Sequence, residues 1–181
     1  MIGYRICVCG GRTYGVYVDP VGDDHKASSD GQKRRMREKA QAQAAAEVSF
    51  LRTALDTFNT RTRKIEEVIT GAADGADSLG IDWARDNEID FIGIPAKWKK
   101  HGKAAGSIRN GDILQKYRPD FVIAFKGGRG TNDMIERAWA AAVPILAPSY
   151  LALALNKTIA FYTPRDFDFK SWQPLYAQPR S

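Results

Sequence analysis

The chain has 181 residues, which suffices for one well-buried core and excludes two domains of ordinary size. Hydrophobic residues make up 44% and charged residues 27%, which is the composition of a folded globular protein and not of a disordered one. The formal net charge of +6 favours an anionic partner, whereas no apolar run approaches the roughly 20 residues of a membrane-spanning helix. The N-terminus MIGYRICVCGG also lacks the pattern of a secretory signal, so we expect a cytoplasmic protein with no membrane partner.

Five apolar runs typical of strands alternate with helical patterns. The strand runs are YRICVC (4–9), EEVIT (66–70), DFIGIP (90–95), DFVIAF (120–125) and VPILAP (143–148). Helical spacing covers 36–58, 76–87 and 134–142, and in the last of these Ile135, Ala138 and Trp139 fall near one face. This alternation predicts a single α/β domain in which helices cover both faces of a parallel sheet. Such sheets bind ligands at the carboxyl ends of their strands.

Two segments stand outside this pattern. The polar stretch of about residues 15–35 is interpreted as an insertion into a domain that covers residues 1–150. Residues 151–181 are interpreted as a C-terminal extension. In it, KTIAFYT predicts an edge strand, and the remainder, with its aromatics and prolines, predicts a tail on the surface or on a partner.

Cys7 and Cys9 lie two apart on the first strand and therefore on one face of the sheet. No His or further Cys stands close enough in sequence to complete a metal site. We predict buried, reduced thiols, with a catalytic thiol as the alternative, and we expect neither a metal nor a cofactor.

Each strand that could face the ligand crevice ends in an unusual turn. These turns are GGRTY (10–14), GAADGAD (71–77), AKWKKHGKAAGSIRN (96–110) and KGGRGTND (126–133). Glycine has no β-carbon to hold a ligand away, so backbone N–H groups can converge on an anion, and a helix that starts directly afterwards adds its own. The turns therefore predict a phosphate-sized hollow. The alternative is that the glycines only make tight connections between strand and helix.

Two well-known phosphate-binding patterns are absent from these turns. The dinucleotide fingerprint G-x-G-x-x-G does not follow the first strand, and no P-loop G-x-x-x-x-G-K-[ST] occurs.

Several side chains beside the turns suit a nucleotide. Arg109 offers a planar fork for phosphate, and Asn110 can read a base or sugar edge. The alternative for Arg109 is a surface position after a helix cap at Ser107. Asp74 and Asp77 could bind ribose hydroxyls or merely cap the helix that follows.

Trp98 and His101 could form a wall of the pocket, or they could simply pack on the surface. The predicted ligand-binding residues are Gly10, Gly11, Arg12, Gly71, Asp74, Gly75, Asp77, Arg109, Asn110, Gly127, Gly128, Arg129, Gly130 and Thr131.

The motifs of the chain resemble a known family. VCGGRTY, ITGAADGADSLGIDWA, AKWKKHGKAAGSIRN, RPDFVIAFKGGRGTNDMIERA and VPI occur in this order between residues 4 and 147. In order and spacing they resemble the YspA-like, cpYpsA-related branch of the SLOG superfamily. The resemblance implies a Rossmann-like nucleotide-binding domain of phage or bacterial origin. Because relatives often pair, we also expect a homo-oligomer, for which the apolar helix MIERAWAAA could supply the interface.

The superfamily also includes enzymes similar to cytokinin riboside monophosphate phosphoribohydrolases, which cleave a base from a ribose phosphate. Their pattern P-G-G-x-G-T-x-x-E ends in a catalytic glutamate, and a catalytic arginine lies in an earlier R-K pair. Here Lys126 replaces the proline and Met134 the glutamate. Arg109 matches the arginine, while Asn110 replaces the lysine. A thioether cannot act as a general base, so the resemblance leaves Arg109 and Asp133, one residue out of register, as candidate catalytic residues.

Three functions from different classes follow from these observations. The first is a module that senses or sequesters a nucleotide-derived small molecule, because phosphate-compatible turns stand here without an evident catalytic carboxylate. The alternative is an N-glycoside hydrolase that acts on nucleoside monophosphates or related nucleotides. The second alternative is a nucleic-acid-binding protein that uses the basic segment Lys33 to Lys39, as a DNA-processing branch of the superfamily binds single-stranded DNA.

Overall fold

The structure is a computed structural model and is described over residues 3–22, 29–61, 64–148 and 161–162. The strands are β1 Tyr4–Cys9, β2 Ile65–Thr70, β3 Asp90–Gly93, β4 Phe121–Ala124, β5 Ile145–Leu146 and β6 Phe161–Tyr162. The helices are α1 Asp30–Arg61, α2 Ala76–Asp86, α3 Trp98–His101, α4 Ala105–Asp112 and α5 Arg129–Ala140. A 3₁₀ turn at Gly102–Ala104 joins α3 to α4, and a π-helical turn at Ile113–Tyr117 continues α4.

The sheet has the strand order β3-β2-β1-β4-β5-β6. Strands β1 to β5 are parallel, and β6 pairs antiparallel with β5 at the edge. This architecture confirms the predicted Rossmann-like parallel sheet. The edge strand β6 lies within the run KTIAFYT, whereas the predicted tail that follows it lies outside the described residues.

Strand order reverses between β1 and β4, which are neighbours in the sheet although α1, β2, α2 and β3 lie between them in sequence. In such sheets the connections from the two strands leave toward opposite faces, and a crevice opens at the carboxyl ends. The turns after β1, β2 and β4 all reach this crevice.

The first face of the sheet is covered by α1 and α2. Ile6 and Val8 of β1 belong to the same buried cluster as Leu51 and Leu55 of α1 and Trp83 of α2. The helical spacing of the apolar residues in α1 therefore matches the face that it buries.

The opposite face is covered by the π-helical turn after α4 and by α5. Cys7 and Cys9 of β1 pack there with Ile113 and Met134. Both thiols are free and buried, which confirms the prediction of buried, reduced cysteines, and burial raises the pKa of each thiol above its ordinary value.

The buried face of α5 does not include Trp139. Thr131, Met134 and Ala138 are buried, whereas the Trp139 side chain is exposed. Of the three residues that the spacing placed near one face, Ile135, Ala138 and Trp139, only Ala138 is fully buried. The helix phase is set by Met134, which fills the space beside Cys9 in the core.

Among the described helices, none is both long and apolar enough to cross a membrane.

Candidate functional site

A cavity of about 340 Å³ lies at the carboxyl ends of the central strands. Its apolar floor is formed by Cys7, Cys9, Ile113 and Met134. The predicted ligand-binding residues that line it are Gly10, Gly11, Arg12, Gly71, Asp77, Arg109, Asn110, Gly128, Gly130 and Thr131. Three separate turns and the helices α2, α4 and α5 thus contribute to a single hollow. Its volume is at the lower end of the range found for small-molecule sites.

Arg109 reaches the hollow from α4 by crossing the backbone of Gly71. A β-carbon at Gly71 would overlap the guanidinium of Arg109, so only glycine leaves room for this side chain. The side chain of Arg109 is 15% exposed, and its Nε atom is buried without a hydrogen-bond partner among the described residues. A buried guanidinium with an unused donor is suited to donate a hydrogen bond to an anionic oxygen.

Asp77 lies beside Arg109 at the start of α2. Its Oδ2 atom is 3.7 Å from Nη1 of Arg109, which is an ion pair longer than a hydrogen bond. Burial raises the pKa of Asp77 to about 6, although Arg109 and the backbone N–H groups of Ala73 and Gly71 act in the opposite direction. The hollow therefore contains a carboxyl group that changes charge near neutral pH.

The three glycine turns are not equivalent as donors. The N–H of Gly11 already donates to the carbonyl oxygen of Lys126 at 3.0 Å, and the N–H of Ala73 donates to Asp77 at 3.3 Å. By contrast, the first N–H groups of α5, at Arg129 and Gly130, precede the first helical hydrogen bonds. An anion in the hollow would therefore find its backbone donors mainly at the start of α5, which is also the positive end of the helix dipole.

The turns after β1 and β2 lock onto each other through close backbone contacts. Gly75 has a φ of 76° and lies against the backbone of Gly11 and Arg12, where any β-carbon would clash. The N–H of Ala76 donates to the carbonyl oxygen of Gly11 at 3.3 Å. Gly75 is therefore a packing residue, and it does not line the hollow.

Arg12 stands at the rim, where its guanidinium lies 5.3 Å from the centre of the Trp98 ring. Trp98 lines the hollow and is 48% exposed, so it forms a wall that is open to solvent on its other side. Such a stacked arginine is held in place while its donors stay available. His101, the other residue predicted as a wall, lines a different cavity beside Lys97 and Lys100.

Asn110 and Asp133 join α4 to the start of α5. The amide nitrogen of Asn110 donates to the carbonyl oxygen of Gly130 at 3.0 Å and to Asp133 at 2.8 Å. Asp133 also accepts hydrogen bonds from Ser107 and Arg137. Burial raises the pKa of Asp133, but these hydrogen bonds outweigh it and hold the pKa below its ordinary value.

Several predicted site residues lie outside the hollow. Asp74 is exposed and does not line the hollow. Arg129 and Asp133 do not line it either. Gly127 packs against Thr131 and lines the neighbouring cavity. The roles predicted for these residues stay predictions, and the contacts of Asp133 favour a positioning role.

Sequence reasoning did not identify the apolar floor or Ala73 and Gly106 as parts of the site. The signal was present for the floor, because alternate residues of β1 point to one face, and Cys9 is the last of them before the turn. Gly106 lines the hollow opposite the glycine turns because it lies three residues before Arg109, one helical turn away.

The basic segment Lys33 to Lys39 lies in the first turns of α1, away from the hollow. Two of its arginines are already paired, Arg34 with Glu38 at 3.4 Å and Arg37 with Asp19 at 3.1 Å. Its proposed role in nucleic-acid binding stays a prediction.

Comparison with known proteins identifies sequences and structures to which this chain is similar. The Gene 61 protein of Mycobacterium phage D29 is 31% identical over 86 residues, which are 44% of this chain and 68% of that protein. The X-ray structure of TM1055, a structural genomics target, is 17% identical in sequence to this chain. The match covers 78% of this chain and 72% of the TM1055 chain, with a TM-score of 0.46. The structure of glycinamide ribonucleotide transformylase 1 from Symbiobacterium toebii is also 17% identical, and the match covers 82% of this chain and 53% of the transformylase chain, with a TM-score of 0.39.

The family model described as YspA, cpYpsA-related SLOG family matches residues 4–101, which are more than half of the chain. The match includes the turns after β1 and β2, and Arg109 and the turn after β4 follow it in sequence. The chain belongs to the YspA, cpYpsA-related SLOG family.

Proposed function

We propose that this protein binds a nucleotide-derived small molecule at the carboxyl ends of β1, β2 and β4, as a sensor or sequestering module. The observation that carries the proposal is the buried guanidinium of Arg109, which lies over Gly71 in the same hollow as the start of α5. Both groups attract a phosphate, and the Arg12 side chain stands at the rim. The family assignment supports a nucleotide-related role without naming the ligand.

The hollow also suits the sugar of a nucleotide. Asp77 bears a carboxyl group that can accept hydrogen bonds from ribose hydroxyls when ionised, while its charge is balanced by Arg109. The apolar floor at Cys9 and Met134 excludes water beneath the ligand. Phosphate near α5 and ribose near Asp77 is therefore the arrangement that the charges favour.

Calorimetric titration with nucleoside mono- and diphosphates, cyclic nucleotides and ADP-ribose tests the proposal. Gly128→Val is the blocking variant, because Gly128 lines the hollow, has a negative φ of −108° and has open space at its β-carbon position. Gly22→Val is the matched control, since Gly22 also has open space and does not line the hollow. We expect binding of at least one compound, with at least a tenfold loss in Gly128→Val alone. Absence of binding by every compound at about 1 mM, where the binding free energy is only about −4 kcal/mol, would overturn it.

Asp77 favours N-glycoside hydrolysis as a second candidate function. Its raised pKa, near 6, suits an acid–base group at neutral pH, and Asp77 lies in the hollow whereas Asp133 does not. In the reaction, water adds to the anomeric carbon of a nucleoside monophosphate, the N-glycosidic bond breaks, and the proton of the water goes to the departing base. The products are a free base and ribose phosphate.

Chromatography of nucleoside monophosphates incubated with the protein distinguishes this candidate from simple binding. Hydrolysis requires free base to accumulate with wild-type protein and to fall at least a hundredfold with Asp77→Asn. Asp133→Asn is the comparison for the residue predicted from sequence. Binding without release of free base would support the binding function and rule out the hydrolase function.

A further inference from the structure

A second cavity of about 610 Å³ adjoins the hollow. The two cavities share Gly11, Arg12 and Gly128, so they form one cleft that is divided at the turns after β1 and β4. The second cavity is bounded on its far side by α1, and we call it the α1-side cavity. A ligand whose phosphate lies at the shared boundary would have room on both sides.

The wall of the α1-side cavity is fixed by hydrogen bonds. The N–H of Gly15 donates to Oε2 of Glu47 at 2.7 Å, and Gln43 Nε2 donates to Oε1 of the same carboxylate at 3.2 Å. Gly15 has a φ of 68° and packs against Leu79 and Val48, where a β-carbon would not fit. The segment after β1 is therefore held against α1, and the cavity is already formed.

The chemistry of this wall is apolar with a polar edge. Val16 and Val18 are 43% and 56% exposed, and both line the cavity. Ala40 and Ala44 face them from α1 and leave space because their side chains are small, while Gln43 adds a carboxamide. Apolar faces combined with a hydrogen-bonding edge suit a planar heterocycle.

Charged side chains line the α1-side cavity as well as its boundary. Arg12 stands at the shared boundary, whereas Lys126 and Glu47 line only the α1-side cavity. A second phosphate beside Glu47 would meet a like charge, and a purely apolar ligand would leave Arg12 and Lys126 unused. A nucleobase joined through ribose to a phosphate can place its base against the apolar wall and its phosphate beside Arg12.

We infer that the α1-side cavity is the base-binding subsite and that it takes the nucleobase of the nucleotide whose phosphate lies between Arg12 and the start of α5. The inference rests on the proposed function and adds to it the direction in which the ligand extends. The base and its own ribose lie on the α1 side of the phosphate, and the sugar beside Asp77 is then the second sugar of a ligand such as ADP-ribose. The base stacks between the valines that follow β1 and the alanines of α1, and Gln43 contacts its edge.

The test compares probes with and without a base. AMP, GMP, CMP and UMP carry one, and ribose 5-phosphate does not. Ala40→Phe places a ring in the cavity, and Ala42→Phe places the same ring on an exposed position of the same helix. Val18→Ser is a second cavity variant that cannot disturb the core, because Val18 is exposed.

Calorimetry should show the best nucleoside monophosphate binding at least tenfold more weakly to Ala40→Phe and about threefold more weakly to Val18→Ser. Ribose 5-phosphate should keep its affinity within twofold in both variants, and Ala42→Phe should match wild type for every probe. Equal losses for ribose 5-phosphate and the nucleotide, or no loss for either, would overturn the base subsite and leave the proposed function standing. Failure of all five probes to bind wild-type protein would overturn the subsite, and the proposed function too if the wider panel also fails.

Discussion

The guanidinium of Arg109 occupies the place that a β-carbon of residue 71 would take, so Gly71 and Arg109 can coexist only because residue 71 is glycine. Gly71→Ala should therefore displace the guanidinium while leaving the fold intact, since the atom that must move is the far end of a flexible side chain. We expect the affinity for the best nucleotide to fall at least tenfold, which is a loss of about 1.4 kcal/mol of binding free energy.

The control for this prediction is Gly22→Ala, which has open space at its β-carbon position and should bind as wild type does. A second readout is the titration of Asp77 followed by carboxyl NMR. Arg109 lowers the pKa of Asp77, so its displacement should raise that pKa further. An unchanged affinity together with an unchanged Asp77 titration would show that Arg109 is not where the structure has it.

Asp77 should make stability depend on pH. Its pKa is raised from 3.8 to about 6 by burial, so the folded protein binds more protons than the unfolded chain between these pH values. The free energy of unfolding should therefore fall as pH rises through this window, by up to about 3 kcal/mol for a shift of this size. Above pH 6 the full penalty is present.

Urea unfolding of wild-type protein and Asp77→Asn from pH 4 to pH 8 measures this effect. The difference between the two curves isolates the Asp77 contribution from other titrating groups. We expect the free energy of unfolding of Asp77→Asn to increase relative to that of wild-type protein as pH rises. Parallel curves over the whole range would contradict the raised pKa.

Ala72 should be a site where glycine stabilises the protein. It has a φ of 50°, in the left-handed region that L side chains rarely adopt, and its N–H donates to Oγ1 of Thr70 at 3.1 Å. This conformation costs about 1–2 kcal/mol, and the greater freedom of glycine in the unfolded chain offsets part of the gain. Ala72→Gly should raise the free energy of unfolding by about 0.5–1 kcal/mol.

Thermal and urea unfolding check this value. Ala73→Gly is the matched control, because Ala73 is the next residue and has no positive φ. It should lower the free energy of unfolding, since glycine only adds freedom to the unfolded chain there. A loss of stability in both variants would argue against the backbone geometry of this turn.

Asn110 should be required for the stability of the joint between α4 and α5. It is buried, and its amide nitrogen satisfies both the carbonyl oxygen of Gly130 and the carboxylate of Asp133. Asn110→Ala would leave those acceptors without this donor and should lower the free energy of unfolding by about 1–3 kcal/mol. The partly exposed Asp112, two residues further on, forms an ion pair with Lys116, and Asp112→Ala should change stability little. Equal effects of the two substitutions in urea unfolding would refute the structural role of Asn110.

The sequence could predict the fold because its strand runs and glycine turns follow one another regularly. β1 begins and ends as predicted at Tyr4 and Cys9, and the turn that holds Gly128 opens α5 as expected. The local sequence pattern could not predict which backbone N–H groups of the turns stay free. The N–H of Gly11, for example, donates to the carbonyl oxygen of Lys126, a residue more than a hundred positions away. The same limit applies to the α1-side cavity, which depends on the contact between Gly15 and Glu47.

The spacing of α5 could not predict which face is buried. It placed Trp139 near one face with Ile135 and Ala138, but Met134 fills the core beside Cys9 and the Trp139 side chain is exposed. The position that carries a glutamate in the enzymes this chain resembles is thus used here for packing. A thioether at this position completes the apolar floor, and the acidic group of the hollow comes from α2 instead.

Helix α1 has 32 residues and is therefore about 48 Å long, more than twice the length of a six-residue strand. Its first buried residue is Ala44, so the turns before it have no core to hold them and depend on surface pairs such as Arg34 with Glu38 and Arg37 with Asp19. Backbone amides should exchange with deuterium in a gradient along this one helix, fast near Asp30 and slow near Leu51. Residues 40–47, which border the α1-side cavity, lie where that gradient is steepest, so a bound base would register there as newly protected amides.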